Sequence, residues 1–312
     1  ILLLAAVYIY PFFRPLTVDY GLISGYSYTV YEDHVELEAY NRNAEIVMVP
    51  WSLWGRPVTV IGHRCFEEKD MKAVLFPESL REIRIGAFYL CENLEMVLGG
   101  KEVTSIGVSG FAWNPKLFKI ELGEKATSIG MRAFSGCESL AEFHFAEQLE
   151  VIGSGAFSDT QITELPEEIQ AEFIGCKAFA NTPWLEKQQE EFVILDGVLL
   201  QYNGRDEIVK VPDGVRGIGG AFTLWDGDVE VPIKEIYLPD TVEYIAQTSF
   251  RGREEIRVYI PDSVKNIGCE IGNNFALGLG EEKTMTIITT AGSAAEAYAK
   301  ENGIACEIVE GW

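Results

Sequence analysis

The chain has 312 residues, with 48 acidic and 25 basic side chains and a formal net charge of −23. Neutralising phosphates takes clustered Lys and Arg, so this charge argues against nucleic acid and an anionic membrane surface as partners, and its plainest use is solubility. The length also outgrows one ordinary core, which leaves division into domains or growth by repetition.

Ile1 to Phe13 is almost wholly apolar, and the chain begins with Ile rather than Met. A run this short fits the remnant of a signal peptide or the outer end of a membrane anchor better than a complete span, so residues 1–24 are set apart and the rest is expected to be exported. The plainer alternative is a capping strand over the first coil. Pro11 and Pro15 speak against a helix there. Tyr28 to Pro50 reads as a hairpin-like lead-in within an N-terminal cap over 25–58.

Beyond it a Phe returns every 22 or 23 residues, at Phe66, Phe88, Phe111, Phe134, Phe157 and Phe179, then after gaps of 43 and 28 at Phe222 and Phe250. Five residues before most of these stands Ile61, Ile83, Ile106, Ile129, Ile152, Ile174 or Ile245, and Ile218 lies four before Phe222. A fixed period of this kind marks a repeat protein. Six residues before the ladder Ile comes a turn residue, often Pro, with apolar residues one and three before it: Val74 and Phe76, Ile120 and Leu122, Phe143 and Phe145, Ile236 and Leu238, Val258 and Ile260. That alternation predicts a short strand with one buried face. Each coil offers about five or six inward side chains, too few to fold alone, so neighbours must stack to close the core.

The gap of 43 falls at Thr182 to Gly204. Thr182-Pro183-Trp184-Leu185 predicts a helix-like turn, and Asp196-Gly197 between apolar runs predicts a hairpin, expected to pack as an island on the solenoid. The resulting division is one domain over 25–312: repeats at 59–181, a hairpin insertion at 182–208, repeats at 209–285 and a C-terminal cap at 286–312.

On each strand the residues two and four before the turn should point outward, and stacking aligns them in two rows. One row holds Leu75, Leu98, Glu121, His144, Lys210, Tyr237 and Tyr259. The other holds Ala73, Met96, Lys119, Glu142, Ile208, Glu235 and Arg257. Tyr237, Tyr259, Arg257 and Lys210 gather in the carboxyl-terminal half, and Tyr and Arg are the types favoured at binding hot spots. Leu75, Leu98 and Met96 predict an exposed apolar patch. With His144 these are the candidate binding residues; outward Tyr and Leu also serve simply to cover their neighbours.

The strings Val103-Thr104-Ser105-Ile106-Gly107 and Ala126-Thr127-Ser128-Ile129-Gly130-Met131-Arg132-Ala133-Phe134-Ser135-Gly136-Cys137-Glu138-Ser139-Leu140 resemble the BspA-type leucine-rich repeat. Gly55 to Gly62 resembles that family's N-terminal lead-in, and Thr286 to Glu307, with Ala291-Gly292-Ser293 opening a helix over 294–302, resembles its C-terminal cap. The resemblance covers about residues 25 to 310. It implies a curved, right-handed leucine-rich-repeat solenoid of short strands and helical turns, secreted or shown on a bacterial surface, with adhesin or binding roles and no catalytic residues. Arg84 and Ala246 depart from the Gly expected after the ladder Ile.

Catalytic signatures are missing. His34, His63 and His144 do not form a zinc motif, and no nucleophile elbow or phosphate-binding glycine loop occurs. With 48 acids, close carboxylate pairs arise by chance and say nothing about glycoside hydrolysis. Asp226-Gly227-Asp228 is too short for a calcium loop. Cys65, Cys91, Cys137, Cys176, Cys269 and Cys306 show no Cys-x-x-Cys and no short pair, which predicts buried free thiols. The expectation is a monomeric binding protein without catalysis or cofactor, taking a protein partner or else a glycan. A spacer for another domain and a β-helix carbohydrate enzyme are the alternatives.

Overall fold

The computed structural model describes residues 18–19, 25–122, 125–223, 233–253, 255–269 and 285–311. The apolar run at 1–13, Asp226-Gly227-Asp228 and the side chain of Cys269 lie outside them. The fold is a β-solenoid of repeats, mostly strand with few helices, and it divides into two compact units.

The first unit comprises 1–126, 134–146 and 160–162. Its strands are β1 (Val18–Asp19), β2 (Tyr26–Val30), β3 (Val35–Tyr40), β4 (Ile46–Met48), β5 (Ser52–Leu53), β6 (Arg56–Ile61), β7 (Ala73–Phe76), β8 (Glu82–Ile83), β9 (Met96–Gly99), β10 (Ser105–Ile106) and β11 (Lys119–Ile120). One sheet runs β1-β4-β7-β9-β11, the other β2-β3-β6-β8-β10. β2 and β3 form the antiparallel lead-in hairpin. From β6 onward each coil adds one strand per sheet in parallel, as Ala73↔Met96 and Ile83↔Ile106 show.

Between the sheets stands the Phe ladder. Phe66, Phe88, Phe111 and Phe134 stack nearly parallel, with centroids 4.8, 4.9 and 5.4 Å apart. All four are fully buried. Every ladder Phe but Phe222, whose second flanking position lies outside the described residues, is flanked two residues before and two after by residues of positive φ: Arg64 and Glu68 (53° and 56°), Ser109 and Trp113 (53° and 61°), Lys177 and Asn181 (55° and 56°). Two left-handed residues fold the connection into a tight loop that turns the ring inward. Three residues past the Phe, a buried side chain reaches back to the carbonyl of the preceding ladder Phe. Cys91 Sγ donates to Phe66 O (2.9 Å), Asn114 Nδ2 to Phe88 O (3.0 Å) and Cys137 Sγ to Phe111 O (3.1 Å). These bonds occupy carbonyls that the loop leaves without a ladder partner.

The coil at 140–146 departs from the expected pattern. No strand forms over 143–145, and Phe143 and Phe145 are only half-buried. Phe143 packs against Phe134 (5.2 Å) and Phe145 (5.0 Å) instead of aligning in a sheet.

The second unit comprises 127–133, 147–159 and 163–312. Its elements are β12 (Ser128–Ile129), β13 (Val151–Ile152), β14 (Phe173–Ile174), α1 (Pro183–Glu186), β15 (Phe192–Leu195), β16 (Val198–Tyr202), β17 (Ile208–Lys210), β18 (Gly217–Ile218), β19 (Glu235–Tyr237), β20 (Tyr244–Ala246), β21 (Arg257–Tyr259), β22 (Asn266–Cys269), β23 (Thr286–Thr289), α2 (Ala294–Asn302) and β24 (Ala305–Ile308). Its sheets run β12-β13-β14, β15-β16-β18-β20-β22 and β17-β19-β21-β23-β24. The Asp196-Gly197 hairpin is present, with φ of 49° and 73° at its turn. It is not an island: β16 also pairs in parallel with β18, so it takes the place of a coil strand.

Gly153, after the ladder Ile, shows why the corner excludes a side chain, since a Cβ there would lie 2.4 Å from Met131 N. Gly217 answers a different need. The Tyr244 ring lies across it, where a Cβ would come within 2.3 Å, and the Tyr244 hydroxyl accepts from Ile174 N (3.1 Å). That ring also packs on Phe173 (4.9 Å), joining β20 to the edge of β14. At the carboxyl end Ser293 Oγ accepts from Glu296 N, and Glu296 returns by accepting from Gly292 N. With Gly303 at φ 68° past its last turn, α2 has the expected stop signals at both ends.

Candidate functional site

The binding residues expected from the sequence fall in both units. Leu75, Leu98, Met96 and His144 belong to the first, Lys210, Tyr237, Arg257 and Tyr259 to the second. In the first unit Leu75 pairs with Leu98 and Met96 with Lys119, the register the rows require. Leu75, Leu98 and Met96 are half-buried rather than exposed, and Ala73, expected outward, is buried. His144 is exposed but stands outside any strand.

In the second unit the rows form a continuous surface. β17, β19 and β21 pair in register, so Lys210 lies beside Tyr237 and Tyr237 beside Tyr259, with Ile208, Glu235 and Arg257 in the neighbouring row. Alternation buries Val209, Ile236 and Val258, which leaves the two Tyr half-exposed on the opposite face. Their rings stack, with centroids 4.0 Å apart and planes at 11°. The Lys210 ammonium stands 5.9 Å from the centre of the Tyr237 ring, within cation–π reach. Tyr237 donates its hydroxyl to Glu235 Oε2 (2.7 Å). Tyr259 first, and then Glu235, push the Tyr237 hydroxyl well above the usual phenol range, so it stays protonated.

Arg257 forks onto Glu307 of β24, with Nη1–Oε1 at 2.8 Å and Nη2–Oε2 at 2.6 Å. The guanidinium holds the Glu307 carboxyl below its ordinary range, and Glu307, ahead of Tyr259, raises Arg257 in turn. Both side chains are exposed, so water screens much of the attraction. The bridge fixes the guanidinium beside the rings and ties the capping strand to the repeats. Lys234–Glu207 (2.7 Å) closes another side of the same sheet.

The second unit also carries an open groove of about 630 Å³ along the residues preceding β18, β20 and β22, lined by Gly214, Arg216, Asp240, Thr241, Glu243, Ser263, Lys265 and Asn266. Arg216 is occupied there structurally, donating to the backbone carbonyls of Glu172 (2.5 Å), Ala171 and Asp196 (2.8 Å). Among the described residues no cluster of His, Cys, Asp or Glu could hold a metal ion, and no helix is long and apolar enough to cross a membrane.

The thiols differ in one respect from the expectation. Cys65, Cys91, Cys137 and Cys176 are buried, whereas Cys306 is exposed. It sits on β24, whose four residues are all exposed.

Stacked coils with a Phe ladder and an outward strand face define a leucine-rich-repeat solenoid. Residues 59–186 and 229–277, more than half the chain, match the model of the BspA type leucine rich repeat region in six copies, and the chain belongs to that family. No curated protein matches it. Among solved structures it is similar to a leucine rich cell surface protein from Faecalibacterium prausnitzii, with 18% identity over 94% of this chain and 98% of that one and a TM-score of 0.39. It is similar as well to the pneumococcal vaccine antigen PcpA, at 14% identity over 91% and 96% with a TM-score of 0.38. A third is a leucine-rich repeat protein from Eubacterium ventriosum, at 16% identity over 84% and 68% with a TM-score of 0.40.

Proposed function

We propose that the chain is a non-catalytic binding module, shown on or released from a bacterial surface, that holds a protein partner on the β17-β19-β21 face of its second unit. The observation that carries this reading is the Tyr237–Tyr259 stack at 4.0 Å, flanked by Lys210 and by the Arg257–Glu307 fork. Two half-exposed rings already held against each other lose little rotamer freedom on binding. Family membership supports surface display.

The test immobilises the full chain and titrates it with a panel of purified extracellular-matrix and host-surface proteins. The expected result is saturable binding to at least one of them, weakened about 30-fold or more by Tyr237→Ala with Tyr259→Ala, as loss of a hot spot of about 2 kcal/mol implies. Unchanged binding by a folded double variant overturns the site. No binding to the panel by the folded wild type overturns the protein-binding reading and leaves a spacer as the better account.

A further inference from the structure

The two most exposed large apolar side chains among the described residues lie on neither strand row. They are Trp51, 75% exposed, and Trp54, 66% exposed. Trp51 enters and Trp54 tips the β5–β6 ribbon, whose two-residue turn has φ of 56° at Trp54 and 75° at Gly55. This tip is pinned to the β2–β3 hairpin by two bonds. Trp54 Nε1 donates to the Tyr28 hydroxyl (2.7 Å), and Arg56 Nε donates to Glu32 O (2.9 Å). On the β2–β3 turn Tyr31 and His34 stack at 4.5 Å with planes at 6°, and His34 Nδ1 is bonded to Asp33 Oδ1 (2.7 Å). Two turns therefore converge to present several ring faces, with Glu32 and Asp33 exposed beside them.

We propose that these converging turns form a saccharide-binding platform, with Trp51 and Trp54 as stacking faces for a neutral, β-linked chain of all-equatorial pyranoses. The bond from Trp54 Nε1 fixes the indole by its edge and leaves its face to solvent. An aromatic face is electron-rich and attracts groups of positive partial charge. An all-equatorial pyranose directs its axial C–H groups at such a face and its hydroxyls outward around the rim, where the Glu32 and Asp33 carboxylates accept hydrogen bonds from them. The chemistry favours a neutral ligand: the exposed Glu32 and Asp33 carboxylates outnumber the Arg56 guanidinium at the tip and the whole chain carries −23, so uronic or sulfated sugars are disfavoured. A protein hot spot would instead sit in a packed pocket ringed by contacts that exclude water, and here the rings stand proud at a turn.

The test titrates the full chain with cellohexaose, xylohexaose and the β-1,4-linked glucuronate hexasaccharide, which keeps the all-equatorial geometry and adds only charge, followed by calorimetry and by tryptophan fluorescence. The expected result is saturable binding of a neutral hexasaccharide, absent for the glucuronate, with affinity at least tenfold lower in Trp51→Ala with Trp54→Ala. Trp54→Phe keeps a ring but loses the bond to Tyr28, and should fall between. Trp113→Ala, at another exposed Trp, and the Tyr237/Tyr259 double variant should bind sugar as the wild type does, which separates this site from the strand face. Failure of the neutral sugars to bind, binding of the uronate alone, an unaffected folded double Trp variant, or panel proteins seated on the Trp residues would each overturn it.

Discussion

Phe88 lies between Phe66 and Phe111 at 4.8 and 4.9 Å and has no exposed surface. Phe88→Ala should cost about 3–5 kcal/mol, read by chemical denaturation, because the rings on both sides cannot close the gap. The thiols make a second expectation. Burial pushes Cys91 and Cys137 up to about 12 and Cys65 further, while burial and then the carboxylates of Glu296 and Glu307 raise the exposed Cys306 to a lesser extent. Alkylation of the native protein with iodoacetamide at pH 8, mapped by mass spectrometry, should therefore mark Cys306 alone among the five described thiols. A raised acid contributes stability that is whole below its unfolded value. Stability should thus decline as pH climbs from the free-thiol value of about 8.5, where the unfolded thiols ionise and the buried ones do not. The left-handed residues beside the ladder add a third: Leu90, at φ 57°, is strained by its Cβ, and Leu90→Gly should raise the melting temperature slightly. A fall in melting temperature would mean that Leu90 packs well enough to outweigh the strain.

Strand pairing was legible where side chains alternate before a turn. The alternation at Val74 and Phe76 predicted β7, and Tyr237 and Tyr259 were placed side by side by register alone. The second strand of each coil, which pairs Ile61, Ile83 and Ile106 in β6-β8-β10, was not expected from their period. Asp196-Gly197 announced its turn because few pairs other than Asn-Gly and Asp-Gly accept two positive φ values. The left-handed residues around the ladder Phe were illegible, since ten of the fifteen described positions hold residues other than Gly and only Gly86, Gly136, Gly155, Gly220 and Gly252 hint at the pattern. Trp51 and Trp54 were illegible as an exposed pair because they stand at a turn, off the strand rows that the repeat period registers. The Arg257–Glu307 fork also joins residues 50 apart, which no local spacing predicts. It carries an expectation at this scale. Glu307 is held low by Arg257, so the fork is intact above the ordinary glutamate range and is lost as pH falls through the lowered value. Hydrogen exchange of the β24 amides, corrected for the intrinsic pH dependence, should speed up below about pH 4, and Arg257→Ala should show the faster exchange already at neutral pH.

At the level of the molecule, the repeats supply a scaffold, and the proposed hold on a protein partner rests on what the outward rows carry. In the second unit those rows carry a stacked Tyr pair with fixed charges around it, and in the first they carry half-buried Leu75, Leu98 and Met96 with an ion pair between Lys119 and Glu121 (2.8 Å). The second unit is therefore the better platform for a large partner. Photo-crosslinking tests this most directly. A benzophenone side chain placed at position 259, on the strand face, is compared with one at position 194, where Ile194 is exposed on the hairpin of the same unit. With a partner from the protein panel bound, crosslinks should form from 259 and not from 194. Crosslinks from 194 alone, with the variant at 259 folded and bound, would contradict recognition by the strand face.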